Sequence, residues 1–166
     1  MENNTYRINE NELDWEHWIH GEIIEHNRKN FTKQFTKNKL VASLYEVPPG
    51  KVSWPYHYHT TNEEVFFIIE GEGELRTDKE RIIVRTGDFI RFPVGEKGAH
   101  QLKNISGDKV LKYLDFGTTN HPDIVFMPDS NKLGLFVGGA PCQNTKNRHI
   151  WKYFDLATEI DYLKDE

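Results

Sequence analysis

The bulk properties of the chain describe one folded domain of ordinary size. Its 166 residues carry a net charge of -5, and 13% of them are aromatic. The aromatic content excludes a disordered chain, and the acidic balance disfavours a nucleic-acid-binding protein, which usually presents a basic surface. The first residues lack the apolar core of a signal peptide, and no stretch approaches the ~18 apolar residues of a membrane helix. We therefore expect a cytoplasmic protein with no membrane or nucleic-acid partner, and its single cysteine, Cys142, excludes an internal disulfide.

Residues 1–39 are predicted to form an irregular N-terminal arm. Trp15, Trp18 and Ile19 recur near helical spacing, which favours a short helix there. Its apolar side would pack on the rest of the molecule or on a second subunit. The arm also contains three histidines without a nearby carboxylate in a metal-ligand spacing, which we interpret as surface residues: His17, His20 and His26.

Short strands separated by turn residues are predicted from residue 40 onward. They are rich in β-branched and aromatic residues and end at glycine, proline or aspartate; in chain order they are 40–47, 52–54, 64–70, 74–77, 81–85, 89–92, 99–104 and 110–116. Such a series is typical of an all-β sandwich or barrel, and the βαβ alternation of a parallel sheet is missing.

The C-terminal part is predicted to be loop-rich. We expect short strands at 125–127 and 135–137 and a short helix at 151–164. The chain as a whole is interpreted as a single domain, 1–166, with its barrel core at about 40–118 and a C-terminal extension at 119–166.

Four residues form a candidate metal site: His57, His59, Glu64 and His100. His57 and His59 are separated by one residue, so on a strand both imidazoles point to the same face. Glu64 begins the next strand, and His100 begins a later one. Three imidazoles and a carboxylate suit a divalent ion such as iron, manganese, nickel, copper or zinc, between which the sequence does not distinguish.

The spacing around these residues resembles the two motifs of the cupin superfamily. The first is Gly50-x6-His57-x-His59-x4-Glu64-x6-Gly71, and the second is Gly87-x5-Pro93-x-Gly95-x4-His100-x3-Asn104. Two gaps depart from the usual pattern, since Gly50 to His57 is one residue longer and Gly95 to His100 is two longer.

The resemblance implies an all-β fold, the cupin double-stranded β-helix or jelly-roll barrel. It also implies one divalent metal ion per chain on the four candidate ligands, and a homodimer. Glu63 competes with Glu64 as a ligand, but the six residues between Glu64 and Gly71 fit the family spacing, so we expect Glu63 to face outward. Strand parity then places Phe66 and Ile68 on the Glu64 face.

Several functions are compatible with this resemblance. A metal-dependent enzyme acting on a small organic molecule, such as a dioxygenase or a sugar isomerase, is the expectation, and a non-catalytic ligand-binding or sensor protein is the alternative. The sequence does not identify a general base. The acid we consider for this role is Asp115, which would share a strand face with Tyr113.

Overall fold

The computed structural model describes residues 7–35, 38–139 and 149–165, and their regular structure is almost entirely β. Cys142 lies outside these ranges. The strands are β1 Glu16–His20, β2 Ile24–Asn30, β3 Leu40–Val47, β4 Tyr58–His59, β5 Glu64–Glu70, β6 Glu72–Arg76, β7 Arg81–Arg85, β8 Phe89–Phe92, β9 Gln101–Asn104, β10 Leu111–Thr118, β11 Asp123–Met127, β12 Lys132–Val137 and β13 Ile150–Asp155. Short 3-10 turns lie at Glu10–Glu12, Glu96–Gly98, Pro128–Ser130 and Leu156–Thr158. No helix within the described ranges is long and apolar enough to cross a membrane.

The strands form three antiparallel sheets. The largest has the order β1-β2-β3-β10-β5-β8, and the smaller ones are β13-β12-β11-β4 and β7-β6-β9. Single bridges connect them: Val52 pairs with Ile24 and with Lys103, and His57 pairs with His100. The sheets do not make one continuous closed ladder, but their arrangement confirms the predicted all-β cupin fold, the double-stranded β-helix.

The core lies between these sheets. Alternate residues of β5 and β10 point inward, and β9 contributes Leu102 and Asn104 on its inward side. The parity predicted for Phe66 and Ile68 is confirmed, since both are buried. The buried apolar cluster consists of Tyr45, Val47, Phe66, Ile68, Leu75, Val84, Phe92, Leu102, Leu111 and Tyr113.

Two motif residues act on the backbone. Gly71 has φ +88°, and a Cβ there would lie 2.7 Å from the carbonyl oxygen of Val110, so only glycine fits between β5 and β6. The side chain of Asn104 donates to the carbonyl oxygens of Val47 and Lys109, both at 2.8 Å. Asn104 is fully buried and ties three chain segments together, so its role here is structural.

The N-terminal arm is not irregular, and the predicted short helix is wrong. Residues 16–30 form a hairpin, and β2 extends the large sheet by pairing with β3. Alternating side chains of β2 face the interior, with His26 and Arg28 buried. The helix prediction failed because the spacing of Trp15, Trp18 and Ile19 does not register the pairing of β1 with β2, and all three side chains are exposed.

The predicted C-terminal helix at 151–164 is also replaced by a strand. β13 pairs with β12 from Lys132–Asp155 to Val137–Ile150, and only the 3-10 turn at Leu156–Thr158 follows it. Residues 150–154 are aromatic or β-branched apart from Lys152, a composition that favours a strand. The prediction failed because the tertiary partner β12 was not considered.

Candidate metal centre

The three candidate histidines come from two neighbouring chain segments. His57 and His100 face each other across a closely spaced backbone pair, with each amide N–H donating to the other residue's carbonyl oxygen at 3.1 and 2.9 Å. His59 lies two residues further along β4, where it pairs with Val125 of β11. The His59 carbonyl oxygen accepts from the amide of Gly95, which fixes the loop before His100.

Glu64 approaches from the large sheet. Its backbone at the start of β5 is held by Asn62, whose buried side chain bonds to Asn120 and Thr118, and by the Glu63 amide, which donates to the Thr118 hydroxyl. Glu63 points away and forms an ion pair with Arg91 on the surface. The prediction that Glu64 faces inward and Glu63 outward is therefore confirmed.

The three imidazoles all approach the same oxygen of Glu64. The Glu64 Oε2 atom lies 3.7 Å from the Nε2 of His57, 3.6 Å from that of His59 and 3.3 Å from that of His100. Ligands bonded to one ion at about 2.0–2.2 Å and at right angles to each other lie about 3 Å apart, and wider angles increase that separation. The ligand atoms of His57, His59 and Glu64 lie within 4.8 Å of one another, close enough to share one ion. His100 lies outside this group of three and approaches it at Glu64.

Each imidazole has its outer nitrogen engaged, which leaves the inner one for a ligand. The Nδ1 of His57 donates to the Pro55 carbonyl oxygen, and that of His100 to the Gly98 carbonyl oxygen, both at 2.8 Å. The Nδ1 of His59 donates to the Asp123 carboxylate at 2.6 Å. These acceptors place the proton on Nδ1, so the lone pair of every Nε2 points at the centre, as it does in a metal-binding histidine.

Two atoms at the centre have no hydrogen bond. His100 Nε2 and Glu64 Oε2 are buried and lack a partner of good geometry within the described residues. Buried polar atoms without a partner are costly and rare, so such a pair requires an explanation. A divalent cation between the four groups supplies one, and the donor set therefore fits a metal.

The aromatic surroundings hold His100 in place. Its ring lies flat on Phe92, with the centroids 3.7 Å apart, and meets the edge of Phe66 at 5.3 Å. His100 is 2% exposed, whereas His57 and Glu64 side chains are 14% and 17% exposed. Access from outside is therefore on the His57 and Glu64 side of the cluster.

The charges of the cluster depend on each other. Burial opposes a charge on Glu64, but the facing imidazoles, His59 first, outweigh it and lower the pKa of that carboxyl. Burial and the neighbouring His100 lower the pKa of His57 to about 3. Burial also opposes a charge on His59, but Glu64 and Asp123 outweigh it and raise the pKa of His59. Neutral His57 beside ionised Glu64 suits a cation, whereas the raised pKa of His59 means that a metal has to displace a proton from that imidazole.

Asp123 is a candidate site residue that the sequence did not reveal. It is fully buried on β11 and accepts hydrogen bonds from His59 Nδ1 and from the backbone and hydroxyl of Thr61. Burial opposes a charge on Asp123, but the hydrogen bond and charge of His59, with the hydrogen bonds of Asn62 and Thr61, together outweigh it and lower the pKa of Asp123. Its distance of 64 residues from His59 along the chain hid the pair, and only the β4–β11 pairing reveals it.

The other histidines and aromatic residues lie elsewhere. His17, His20 and His121 are exposed, whereas His26 is completely buried, which corrects its interpretation as a surface residue. Aromatic rings surround His26, with Trp54 at 4.6 Å and Tyr45 at 5.2 Å between centroids.

Residues 43–117 match the family described as the cupin domain. This match covers less than half of the chain, and both the matched sequence and the fold are similar to those of the cupin superfamily. An uncharacterized protein of Methanocaldococcus jannaschii is 41% identical over 78 residues, which are 47% of this chain. The matched part spans 58% of that relative's length.

Solved structures of similar fold carry several names. A putative sugar phosphate isomerase from Acidithiobacillus ferrooxidans is 26% identical, with 81% of this chain and 80% of that chain covered and a TM-score of 0.65. A sugar phosphate isomerase from Silicibacter pomeroyi is 16% identical over 92% and 94% of the two chains, with a TM-score of 0.73. A predicted oxalate decarboxylase from Thermotoga maritima is 21% identical over 68% and 98%, with a TM-score of 0.58. The last two similarities concern the fold alone.

Proposed function

We propose that this cupin-fold protein is a metal-dependent enzyme acting on a small, oxygen-rich organic molecule, and that isomerisation of a hydroxycarbonyl compound is its reaction. The observation that supports a metal is the convergence of three imidazole Nε2 atoms within 3.3–3.7 Å of one Glu64 oxygen. The choice of an isomerase over an oxidase follows the similar structure named a putative sugar phosphate isomerase, at 26% identity.

Each residue of the site has a distinct role in this proposal. His57, His59, His100 and Glu64 would hold one divalent ion, which would supply Lewis-acid chemistry at a substrate oxygen. Four protein ligands leave one or two positions open for that oxygen if the ion takes five or six bonds. Asp123 orients His59, and the Pro55 and Gly98 carbonyl oxygens orient His57 and His100.

In this proposal, aromatic side chains beside the cluster shield the reacting molecule from water. Phe66 and Phe92 close one side of the cluster against His100. The more exposed His57 and Glu64 line the side through which a small molecule enters. A largely apolar pocket with a few convergent polar groups is the usual form of a small-molecule site.

Elemental analysis of protein purified without a metal-affinity tag tests the metal. We expect about one equivalent of a divalent metal in the unmodified chain and almost none in the His57→Ala/His59→Ala variant. Metal at about 100 times its dissociation constant should also stabilise the unmodified chain by about 2.7 kcal/mol. Equal metal contents, or no stabilisation of the unmodified chain, would contradict the site.

Turnover tests the reaction class. The loaded protein is incubated with a panel of aldoses and ketoses, with and without phosphate, and products are followed by NMR. Conversion that is lost in the double variant supports an isomerase. Oxygen consumption without sugar conversion would favour the dioxygenase, and tight ligand binding without conversion would favour a non-catalytic binding protein.

A homodimer and a cytoplasmic location remain proposals. The family resemblance supports the first, and the composition supports the second.

A further inference from the structure

Asp115 is an acid buried inside the sheets next to the proposed metal centre. It lies on β10, where it pairs with Phe66 of β5 and with Ser43 of β3, and all three side chains are buried. Glu64 pairs with Gly117 of the same strand, two residues further on. Since side chains two residues apart share a face, Asp115 is on the interior face of β10, one row deeper than Glu64.

Gly117 lies opposite Glu64 and adds no side chain to the space beside these two acids. A Cβ on Gly117 would lie 3.2 Å from Val41 and 3.7 Å from the Cγ of Glu64. Gly117, which pairs with Glu64, therefore contributes no side chain. Asp115 is the neighbouring residue on the same face of β10.

The Asp115 side chain has an atom without a partner. The residue is 8% exposed, and its Oδ1 has no hydrogen-bond partner within the described residues. Burial raises the pKa of Asp115 well above its ordinary range, the charge of Glu64 adds to that effect, and the nearby His59 and Arg28 oppose it only in part. An ionisable residue at this position costs stability that a leucine would not, so packing does not account for it.

We propose that Asp115 binds the substrate directly through a hydrogen bond to a substrate hydroxyl group. That hydroxyl is on the carbon adjacent to the one whose oxygen the metal would hold. This inference rests on the proposed function and deepens it by naming the ligand class: small molecules with oxygens on adjacent carbons, such as hydroxycarbonyl compounds and vicinal diols. A hydroxyl group both donates and accepts, so it pairs with the carboxyl whether or not that group carries its proton.

A comparison of two hydroxamates tests the hydrogen bond between Asp115 and a ligand hydroxyl group. Acetohydroxamate and glycolohydroxamate both chelate a metal through two oxygens, and glycolohydroxamate differs by one added hydroxyl on the adjacent carbon. Their dissociation constants are measured from the visible absorption of the protein loaded with Co(II). We expect glycolohydroxamate to bind the unmodified chain about tenfold more tightly, which is the usual effect of one well-placed hydrogen bond.

Variants of Asp115 should remove only this preference. In Asp115→Leu the two hydroxamates should bind within about twofold of each other, with Co(II) content and acetohydroxamate affinity unchanged. Asp115→Asn, which keeps a polar group, should retain part of the preference and covers the case in which the leucine variant does not fold. Asp108→Leu, at an exposed turn, is the control and should behave as the unmodified chain.

The outcomes separate the two proposals. Failure of the unmodified chain to bind Co(II), or of its Co(II) form to bind acetohydroxamate, would contradict the open metal site of the proposed function. Normal acetohydroxamate binding without a preference for glycolohydroxamate would overturn the role of Asp115 alone. A preference that persists in Asp115→Leu would do the same.

Discussion

At the scale of single residues, the candidate site depends on what lies behind its ligands. Every imidazole donates through Nδ1 to a fixed acceptor, and only for His59 is that acceptor a charged side chain, Asp123. A carboxylate behind a histidine fixes its tautomer and increases its basicity towards a metal. A substitution of Asp123, which is distant in sequence, should therefore change the affinity of His59 for a metal.

We predict that Asp123→Asn weakens metal binding by about 10- to 100-fold. The amide removes the negative charge that His59 faces and can present a donor where an acceptor is needed. Competition with a chromogenic chelator measures the change. Asp129→Asn, in the turn after β11 and paired with Arg76 on the surface, is the control and should leave the metal affinity unchanged. Equal affinities in the unmodified chain and Asp123→Asn would exclude Asp123 as a positioning residue.

His26 gives a prediction about acid stability. Burial lowers the pKa of His26 from its ordinary value of 6.5 to about 4. As pH falls below 6.5 the unfolded chain takes up a proton that the folded chain does not, so stability is full above 6.5 and declines towards pH 4. The loss reaches about 3 kcal/mol, at 1.36 kcal/mol for each unit of pKa difference.

The measurement is urea unfolding of the unmodified chain and of His26→Phe between pH 7 and 4. Phenylalanine keeps an aromatic ring against Trp54 and Tyr45 but does not titrate. The variant should lose less stability than the unmodified chain over this range. His20→Phe, exposed in the same hairpin, should leave the pH dependence as it is. Parallel curves for the unmodified chain and His26→Phe would refute the prediction.

At the scale of elements, the loop between β8 and β9 decides where His100 lies. Its 3-10 turn, Glu96–Gly98, ends two residues before His100, and the Gly98 carbonyl oxygen accepts from the ring of His100. A Cβ on Gly98 would lie 1.7 Å from the carbonyl oxygen of Pro93. The end of the loop at Gly98 therefore packs directly against Pro93 near its start, which is possible only because Gly98 has no side chain.

Gly98→Ala should consequently move the loop and His100 with it. We expect a loss of more than about 2 kcal/mol in unfolding free energy, as for other overpacked sites, together with weaker metal binding. Gly107→Ala is the matched control, since nothing lies within 4 Å of a Cβ there, and it should change stability by less than about 0.5 kcal/mol. Chemical denaturation and chelator competition measure both effects. Similar stabilities for the two alanine variants would show that the loop is not held in this closed form.

At the scale of the whole molecule, the outer face of the large sheet is markedly apolar. Phe89 is 68% exposed, and Phe67, which pairs with it across the strands, is 39% exposed. Phe116 of β10 adds to the same outer face. Exposed aromatic residues of this kind are enriched at protein interfaces.

We predict a homodimer that uses this face. Light scattering after size exclusion should give twice the chain mass of 19.5 kDa, and Phe89→Glu should give one chain mass because it places a charge in the apolar contact. Ile23→Glu, an exposed apolar residue of the β1–β2 turn, is the control and should stay dimeric. A single-chain mass for the unmodified protein would contradict the homodimer, and a dimeric Phe89→Glu variant would exclude this face.

Many features of the fold and of the candidate site could be predicted from the sequence, because strand alternation and turn preferences depend only on neighbouring residues. The i, i+2 spacing of His57 and His59 determines a common face on any strand, and the alternation after Glu64 and His100 separates buried from exposed side chains. The turn residues between short strands indicate an all-β fold. These features need no knowledge of which strand pairs with which.

The remaining features depend on pairing between distant segments. Asp123 reaches His59 only because β11 pairs with β4, and Asp115 lies beside Phe66 only because β10 pairs with β5. The two terminal segments became strands because β3 and β12 offered them open edges, which local periodicity does not record. The sequence by itself determined the fold class and the four candidate ligands. Tertiary structure decided the carboxylates that surround them, because hydrogen bonds between strands join residues regardless of their separation along the chain.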